Sequence, residues 1–289
     1  MGNFQLFFVS VAIWGSTWLA IKFQLGRVAP EASVFYRFLL GSLLIFAYCR
    51  LRGLPLACNA RQHLWIALMG VLMFSVSYIC VYYAESYVVS GLVAVGYSAS
   101  PLLGMLGVRI FFATPVTPRI LAASLLGMVG IALVFWPEFS HLKSDGDTAL
   151  GALYTVIAVV VSALGAIVAQ RNQQEHLPLW QSMAWGMLYG SLFSLAVTLA
   201  LGGKLQFEAT PAYVASLLYL TILGSIVAFG AYLTLLERVG AARAGYIGVM
   251  VPIMALVVSA AFEGFRWHVL TGVGIAVSVA GNILVLRGK

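Results

Sequence analysis

Tyr78 and Tyr82 stand four residues apart, so on a helix both project from one face. Ser75 precedes Tyr78 by about one turn and joins that face. The four-residue spacing recurs in Tyr97 with Pro101, Trp14 with Trp18, and Trp185 with Tyr189. All of these lie in apolar runs. A tyrosine ring is apolar, but its hydroxyl needs a partner that lipid cannot give. Such rings suit the wall of a polar cavity, where they could hold an apolar side chain and attract an ammonium group. The competing reading for each ring is interhelical packing or an interface belt. Phe229, Tyr232 and Tyr246 add three more rings at or near mid-span.

Arg37 is a cation well inside an apolar run. A charge at mid-helix costs roughly 2.5–3.5 kcal/mol on insertion scales. Arg37 could anchor a substrate carboxylate; alternatively it snorkels, or pairs with helix-end carbonyls or a carboxylate such as Glu85. The candidate substrate-binding set is therefore Tyr78, Tyr82, Tyr97, Arg37, Trp185, Ser75 and Trp14. Pro101 and Pro252 are candidate hinges or kinks. Each removes a donor from its helix, and a freed carbonyl could hold an ammonium group, or the kink could act as a gate.

This is recognition chemistry, not catalysis. His63, His141, His176 and His268 fall in loops or at helix ends, and no HExxH occurs. Asp145 and Asp147 are the only aspartates and share one linker, so a buried aspartyl pair is absent. No phosphate-binding P-loop appears. Cys49, Cys58 and Cys80 have no metal-ligand spacing and read as small apolar residues. The chain is expected to be no enzyme and to need no cofactor or metal.

The elements that must position these residues follow from composition. Of 289 residues, 62% are hydrophobic and 9% charged, against roughly 25% charged in soluble domains. Mean hydropathy is +1.00. The fold class expected is all-α integral membrane. Apolar runs long enough to span a bilayer read as ten transmembrane helices, near 4–22, 31–50, 63–84, 88–112, 118–137, 149–170, 179–201, 211–236, 242–262 and 268–286. The first is read as a retained helix and not a cleaved signal peptide, because it lacks a basic leader and a cleavage site.

The net charge of +7 forms no basic stripe, which argues against nucleic acid. Alternating the ten spans puts Arg50, Arg52, Arg61, Arg109, Arg119, Arg171, Arg238, Arg243, Arg287 and Lys289 on one side. Lys22, Arg27, Lys143, Lys204 and Arg266 fall on the other. The positive-inside bias then makes both termini cytoplasmic, in a multi-pass protein of the cell (inner or plasma) membrane.

The chain also repeats itself. Shifted by 151, Pro252 falls on Pro101 and Gly281 on Gly130; shifted by 149, Gly190-Ser191-Leu192 falls on Gly41-Ser42-Leu43. The halves are 1–137 and 149–289, joined by a linker at 138–148. Five spans per half is odd, so the second half enters from the opposite side: a 5+5 inverted repeat, a frequent plan of secondary transporters. Small residues at Ala123, Gly127 and Gly130, and at Gly274, Ser278 and Gly281, read as packing seams within the bundle or in a dimer.

Ordered motifs tie these features to a family. They are Trp14-Gly15-Ser16 with Lys22, then Arg37, Pro101, Pro252 followed by Glu263, and the Gly-rich ends LLGMVGIALVF at 125–135 and VSVAGNILVL at 277–286. The whole chain resembles the ten-helix EamA branch of the drug/metabolite transporter superfamily. Departures are Phe112 where the first half would match Glu263, and Gln170 where the second would match Lys22. The resemblance implies export of amino acids and other small metabolites.

Together these readings predict a secondary transporter working by alternating access on a small-molecule substrate of little net charge, such as an aromatic or other apolar amino acid. The chain would sit in a lipid bilayer as a monomer or homodimer. The alternatives are a channel-like facilitator and a lipid scramblase or structural membrane protein. Phe4–Ile21 holds no acid, and Glu85, Glu237 and Glu263 are expected at helix ends with ordinary ionisation, so strict proton drive is not expected.

Overall fold

The computed structural model describes residues 1–26, 28–88, 90–113, 115, 117–134, 136, 146–262 and 268–286. Glu263, Arg27, Arg266 and the linker residues 138–145 lie outside them, so the readings placed on those residues have no structural counterpart here. Among the described residues the chain is all helix, with no strand.

The helices in chain order are α1 (Asn3–Lys22), α2 (Pro30–Leu51), α3 (Ala60–Tyr87), α4 (Ser90–Tyr97), α5 (Ser100–Phe112) and α6 (Pro118–Val134). After the linker come α7 (Gly146–Gln174), α8 (Leu179–Ala200), α9 (Pro211–Val239), the single turn α10 (Ala241–Ala244), α11 (Ile247–Phe262) and α12 (Val269–Leu286). Pro30 and Pro211 open their helices, where the missing N–H is least costly. Seven segments are long and apolar enough to cross a membrane. Ser100–Phe112, Pro118–Val134 and Val269–Gly281 are apolar but shorter. Large apolar side chains point outward, Phe4 at 75% exposure and Ile110 at 73%. Water would oppose that surface; hydrocarbon does not. The chain is an all-α membrane protein.

Two spans depart from the sequence reading. The run 88–112 divides into α4 and α5 at Ser98–Ala99, and Pro101 sits in the first turn of α5. Its ring fits there because the helix begins with it. Pro252 instead stays inside α11, and the break in that span falls earlier, at Gly245–Tyr246. The paired prolines therefore do not share one local geometry. The third span and its counterpart share something else. Each contains a π-helical stretch, Leu72–Val76 in α3 and Leu220–Val227 in α9. Such stretches rephase the side chains beyond them and recur at functional sites.

Small residues set the closest approaches. The most extensive pairing is α6 on α12, where Gly130 meets Ser278 and the Gly274 carbonyl, and Gly281 meets the Ala123 carbonyl. The seam thus lies within the bundle. On α3, Gly70 lies against the backbone of Gly186 on α8. Ser42 of α2 donates to the Ala184 carbonyl of α8 at 2.8 Å. A Cβ on Gly130 would overlap Ser278 and sit 2.6 Å from the Gly274 oxygen. Gly130→Ala is therefore expected to destabilise the protein by about 1–3 kcal/mol in thermal unfolding in detergent. Gly272→Ala, with open space around it, is expected to cost nothing.

Candidate functional site

The first helix is held by the motif singled out in the sequence. Trp14 Nε1 donates to the Gly224 carbonyl at 3.0 Å, a carbonyl inside the π stretch of α9. Ser16 bonds the Tyr219 hydroxyl at 2.6 Å. Gly15 admits α11: a Cβ there would fall 2.5 Å from Met254 Cβ. Each of the three residues thus pins α1 to the second half of the chain.

Between these helices lies a cavity of about 110 Å³. Both halves wall it. Trp14, Thr17 and Trp18 come from α1, Tyr78 and Ser77 from α3, and Tyr97 from α4. The second half brings Ser162 of α7, Phe229 and Tyr232 of α9, and Gly248 of α11. The rings brace one another: Trp14 lies 5.0 Å from Phe229 and 5.2 Å from Tyr232. The Tyr97 hydroxyl pairs with Ser77 at 3.2 Å. The lining is mainly apolar with a few hydroxyls and indoles, the usual make-up of a small-molecule site.

Arg37 stands directly behind this wall and is fully buried. Its Nε donates to Ser225 Oγ at 2.8 Å, again in the π stretch. Its guanidinium lies 4.5 Å from the Tyr78 ring centre and 5.2 Å from that of Phe38. Gly224 makes room for it, since a Cβ there would sit 3.1 Å from Nη2 and 3.0 Å from Thr17. Nη1 and Nη2 make no close hydrogen bond to the described residues, although the hydroxyls of Tyr78 and Tyr82 lie near the guanidinium. The Trp18 indole N–H is likewise buried without a hydrogen bond to them. Buried donors left over in this way call for a ligand or water.

Of the residues picked from spacing, Trp14, Tyr78 and Tyr97 line the cavity, with Arg37 behind Tyr78. Tyr82, Ser75 and Trp185 do not line it. Tyr82 is fully buried one turn beyond, its hydroxyl donating to Gln24 Oε1 at 2.7 Å. It lies outside the cavity lining, one turn along α3 from Tyr78. Ser75 bonds Ser194 of α8 at 2.6 Å. The π stretch ends at Val76, so the α-helical spacing that aligned Ser75 with Tyr78 does not hold across it. Ser77 takes the place on the cavity wall that the spacing gave to Ser75. Trp185 lies at the far end of α2 and α8, donating to the Leu56 carbonyl at 3.0 Å and packed on Phe46 and His63. Tyr246 is bonded to Ser124 and the Ile120 carbonyl, on α6. The sequence signal for Thr17, Ser77, Ser162 and Gly248 was no more than a small or hydroxyl residue in an apolar run.

Glu85 also departs from expectation. Both its carboxylate oxygens are buried, whereas Glu237 is exposed. The reason is packing: α7 and α2 lie against this part of α3, which sequence position alone does not reveal.

Comparison with known proteins completes the picture. The model of the EamA-like transporter family matches residues 3–136 and again 149–287. The chain is similar to the uncharacterized inner membrane transporter YedA of Escherichia coli K12, 28% identical over 99% of this chain and 91% of that protein. It is similar to an uncharacterized transporter of Archaeoglobus fulgidus, 25% identical over 96% and 94% of the two chains. It also resembles the uncharacterized transporter YoaV of Bacillus subtilis, at 23% identity over 84% and 82%. A solved crystal structure of a protein shares the fold with a TM-score of 0.79 at 16% identity, over 98% of this chain and 95% of that one. With matches to both halves and a cavity walled by both, the chain belongs to the EamA-like transporter family and is a multi-pass membrane transporter, not an enzyme.

Proposed function

We propose that the chain exports small zwitterionic metabolites, foremost amino acids with apolar side chains, by alternating access across the inner membrane. The observation that carries this reading is the cavity between the halves, ringed by Trp14, Tyr78, Tyr97 and Tyr232 with one buried cation behind it. A zwitterion needs one cation, a few dipoles and an apolar wall. A sugar phosphate would want several cations, and the cation packed against this wall is Arg37, behind Tyr78. The cavity of about 110 Å³ would take the side chain of such an amino acid against its rings. The 5+5 inverted arrangement is part of the proposal. The π stretches at matching places in α3 and α9 and the breaks at Ser98–Ala99 and Gly245–Tyr246 support it. The inner-membrane name of the Escherichia coli relative supports the location.

The test is flux of labelled leucine from loaded proteoliposomes. The expected result is saturable efflux, competed by valine and isoleucine and not by glucose 6-phosphate. Flux that rises linearly with leucine indicates a channel. Lipid redistribution without leucine flux indicates a scramblase.

Orientation has its own test. Cys49 and Cys80 are buried and Cys58 is partly open, in the loop between α2 and α3. With Cys49 and Cys80 replaced by alanine, an impermeant maleimide is expected to label Cys58 only from the cytoplasmic side. Burial pushes the Cys58 thiol up, and the thiolate is the reacting form. Labelling should therefore be slow at neutral pH and quicken about tenfold per pH unit toward the thiol's pKa. Labelling from outside reverses the topology.

A further inference from the structure

Tyr78, Tyr82 and Glu85 occupy positions i, i+4 and i+7 of α3 and so form one stripe. Tyr78 lines the cavity, and Tyr82 is bonded to Gln24 one turn further along. Glu85 stands one turn further along. Both its oxygens are buried and accept no hydrogen bond from the described residues. Arg37 Nη1 and Nη2 and Gln24 Nε2 are buried donors that make no close hydrogen bond to the described residues. Arg37 and Glu85 both lie near enough to act on the Tyr82 hydroxyl between them, and they do not bond each other.

The charged groups facing Glu85 are Lys22 from α1 and Arg37 from α2. Other titratable groups near this end of α3 are committed elsewhere. Glu31 of α2 accepts from the Tyr83 hydroxyl at 3.0 Å. Tyr154 of α7 is stacked with Tyr83 and Tyr87. Tyr97 of α4 is paired with Ser77. A carboxylate out of water and without donors is costly, and the cost is relieved by a proton or by nearby positive charge.

We propose that Glu85 is a proton-binding site that competes with the substrate's carboxylate for the positive charge of Arg37. The proposal rests on the preceding reading that the substrate carries a carboxylate held near Arg37. With Glu85 ionised, its charge offsets that of Arg37 and the cavity attracts anions weakly. When a proton from water binds one Glu85 oxygen, that offset is lost and the substrate carboxylate replaces it. Arg37 thus faces one carboxylate charge in both states. Binding of the substrate therefore takes up a proton, and no bond in the substrate changes.

The experiment is calorimetric titration of the full-length protein in nanodiscs with leucine, in buffers of different ionisation enthalpy. Above the pH at which Glu85 ionises in the unliganded protein, the expected result is uptake of about one proton per leucine, with affinity falling about tenfold per pH unit as pH rises; below it, uptake and slope both vanish. Glu85→Gln is expected to show no uptake and a flat pH profile. Leucinol, which lacks the carboxylate, is expected to show neither effect in either protein. Absence of uptake in the wild type, or uptake that persists in Glu85→Gln, overturns the proposal. Infrared difference spectra between low and high pH, without ligand, provide a reading independent of the substrate. A protonated-carboxyl band that changes over the pH range in which the protein stays folded, and is missing in Glu85→Gln, supports the proton site. Absence of that band from the wild type overturns it. Failure of leucine to bind while the band is present refutes the amino-acid reading and leaves Glu85 as a proton site for another anion.

Discussion

Arg37→Gln is expected to weaken leucine binding by about 100-fold, which corresponds to roughly 3 kcal/mol for losing one partner of a buried charge pair. Leucinol affinity should change by no more than about twofold, because without a carboxylate it makes no charge pair to lose. The basis is the geometry of a single side chain. Ser225 takes Nε at 2.8 Å and the ring of Tyr78 lies under the guanidinium at 4.5 Å, so the fork is fixed. Its two terminal amino groups make no close hydrogen bond to the described residues. Arg37→Lys should not rescue binding. A compact ammonium cannot hold Ser225 and present two further donors in a plane. Calorimetry with both ligands on all three proteins checks this. Equal losses for leucine and leucinol would make Arg37 a structural residue only.

Tyr78→Ala is expected to cost about 30-fold in leucine affinity, whereas Tyr82→Phe should leave it within about threefold. Removing the Tyr78 ring opens the cavity wall and withdraws a face from Arg37. Buried cation–π contact supplies up to about 2 kcal/mol, and lost packing adds to it. Phe38 at 5.0 Å and Phe229 at 6.1 Å lose their partner as well. Tyr82→Phe removes the hydrogen bond to Gln24 and a longer approach to Arg37 while keeping the ring, so its effect should appear mainly as roughly 1 kcal/mol of stability. Affinities measured beside thermal unfolding separate the two. A large affinity loss in Tyr82→Phe with none in Tyr78→Ala would invert the assignment of the two residues.

The two tyrosines also mark where the sequence ceases to be a guide. Their spacing correctly put them on one face of one helix, because an α-helix repeats every 3.6 residues and Ser77–Tyr87 is one. It could not say how far along that face the cavity extends. That depended on Gln24, a residue in the loop after α1, which arrives to cap Tyr82. Ser75 failed for a different reason. The π stretch just before Ser77 carries no distinctive residues, so the phase change was invisible in the letters LMFSV.

The sequence by itself determined the class of molecule, its helical content, the family, and the oddity of Arg37. These are local or compositional properties: a segment's transfer to lipid depends on its own side chains, and a charge among apolar neighbours costs energy wherever the helix packs. It also marked Gly130 and Gly281 as a seam, because only a small residue permits backbone contact. Tertiary structure alone decided which rings face the cavity, that Trp185 belongs to a separate aromatic cluster with Phe46 and His63, and that the Glu85 carboxylate is buried. Pro101 and Pro252 show the same division. Both are prolines at matching repeat positions, yet one opens a helix and the other sits within one. The physical reason is that burial and orientation are pairwise quantities. They depend on residues brought together from more than a hundred positions away, as Trp14 is to Gly224 and Arg37 to Ser225, and no local period encodes such meetings.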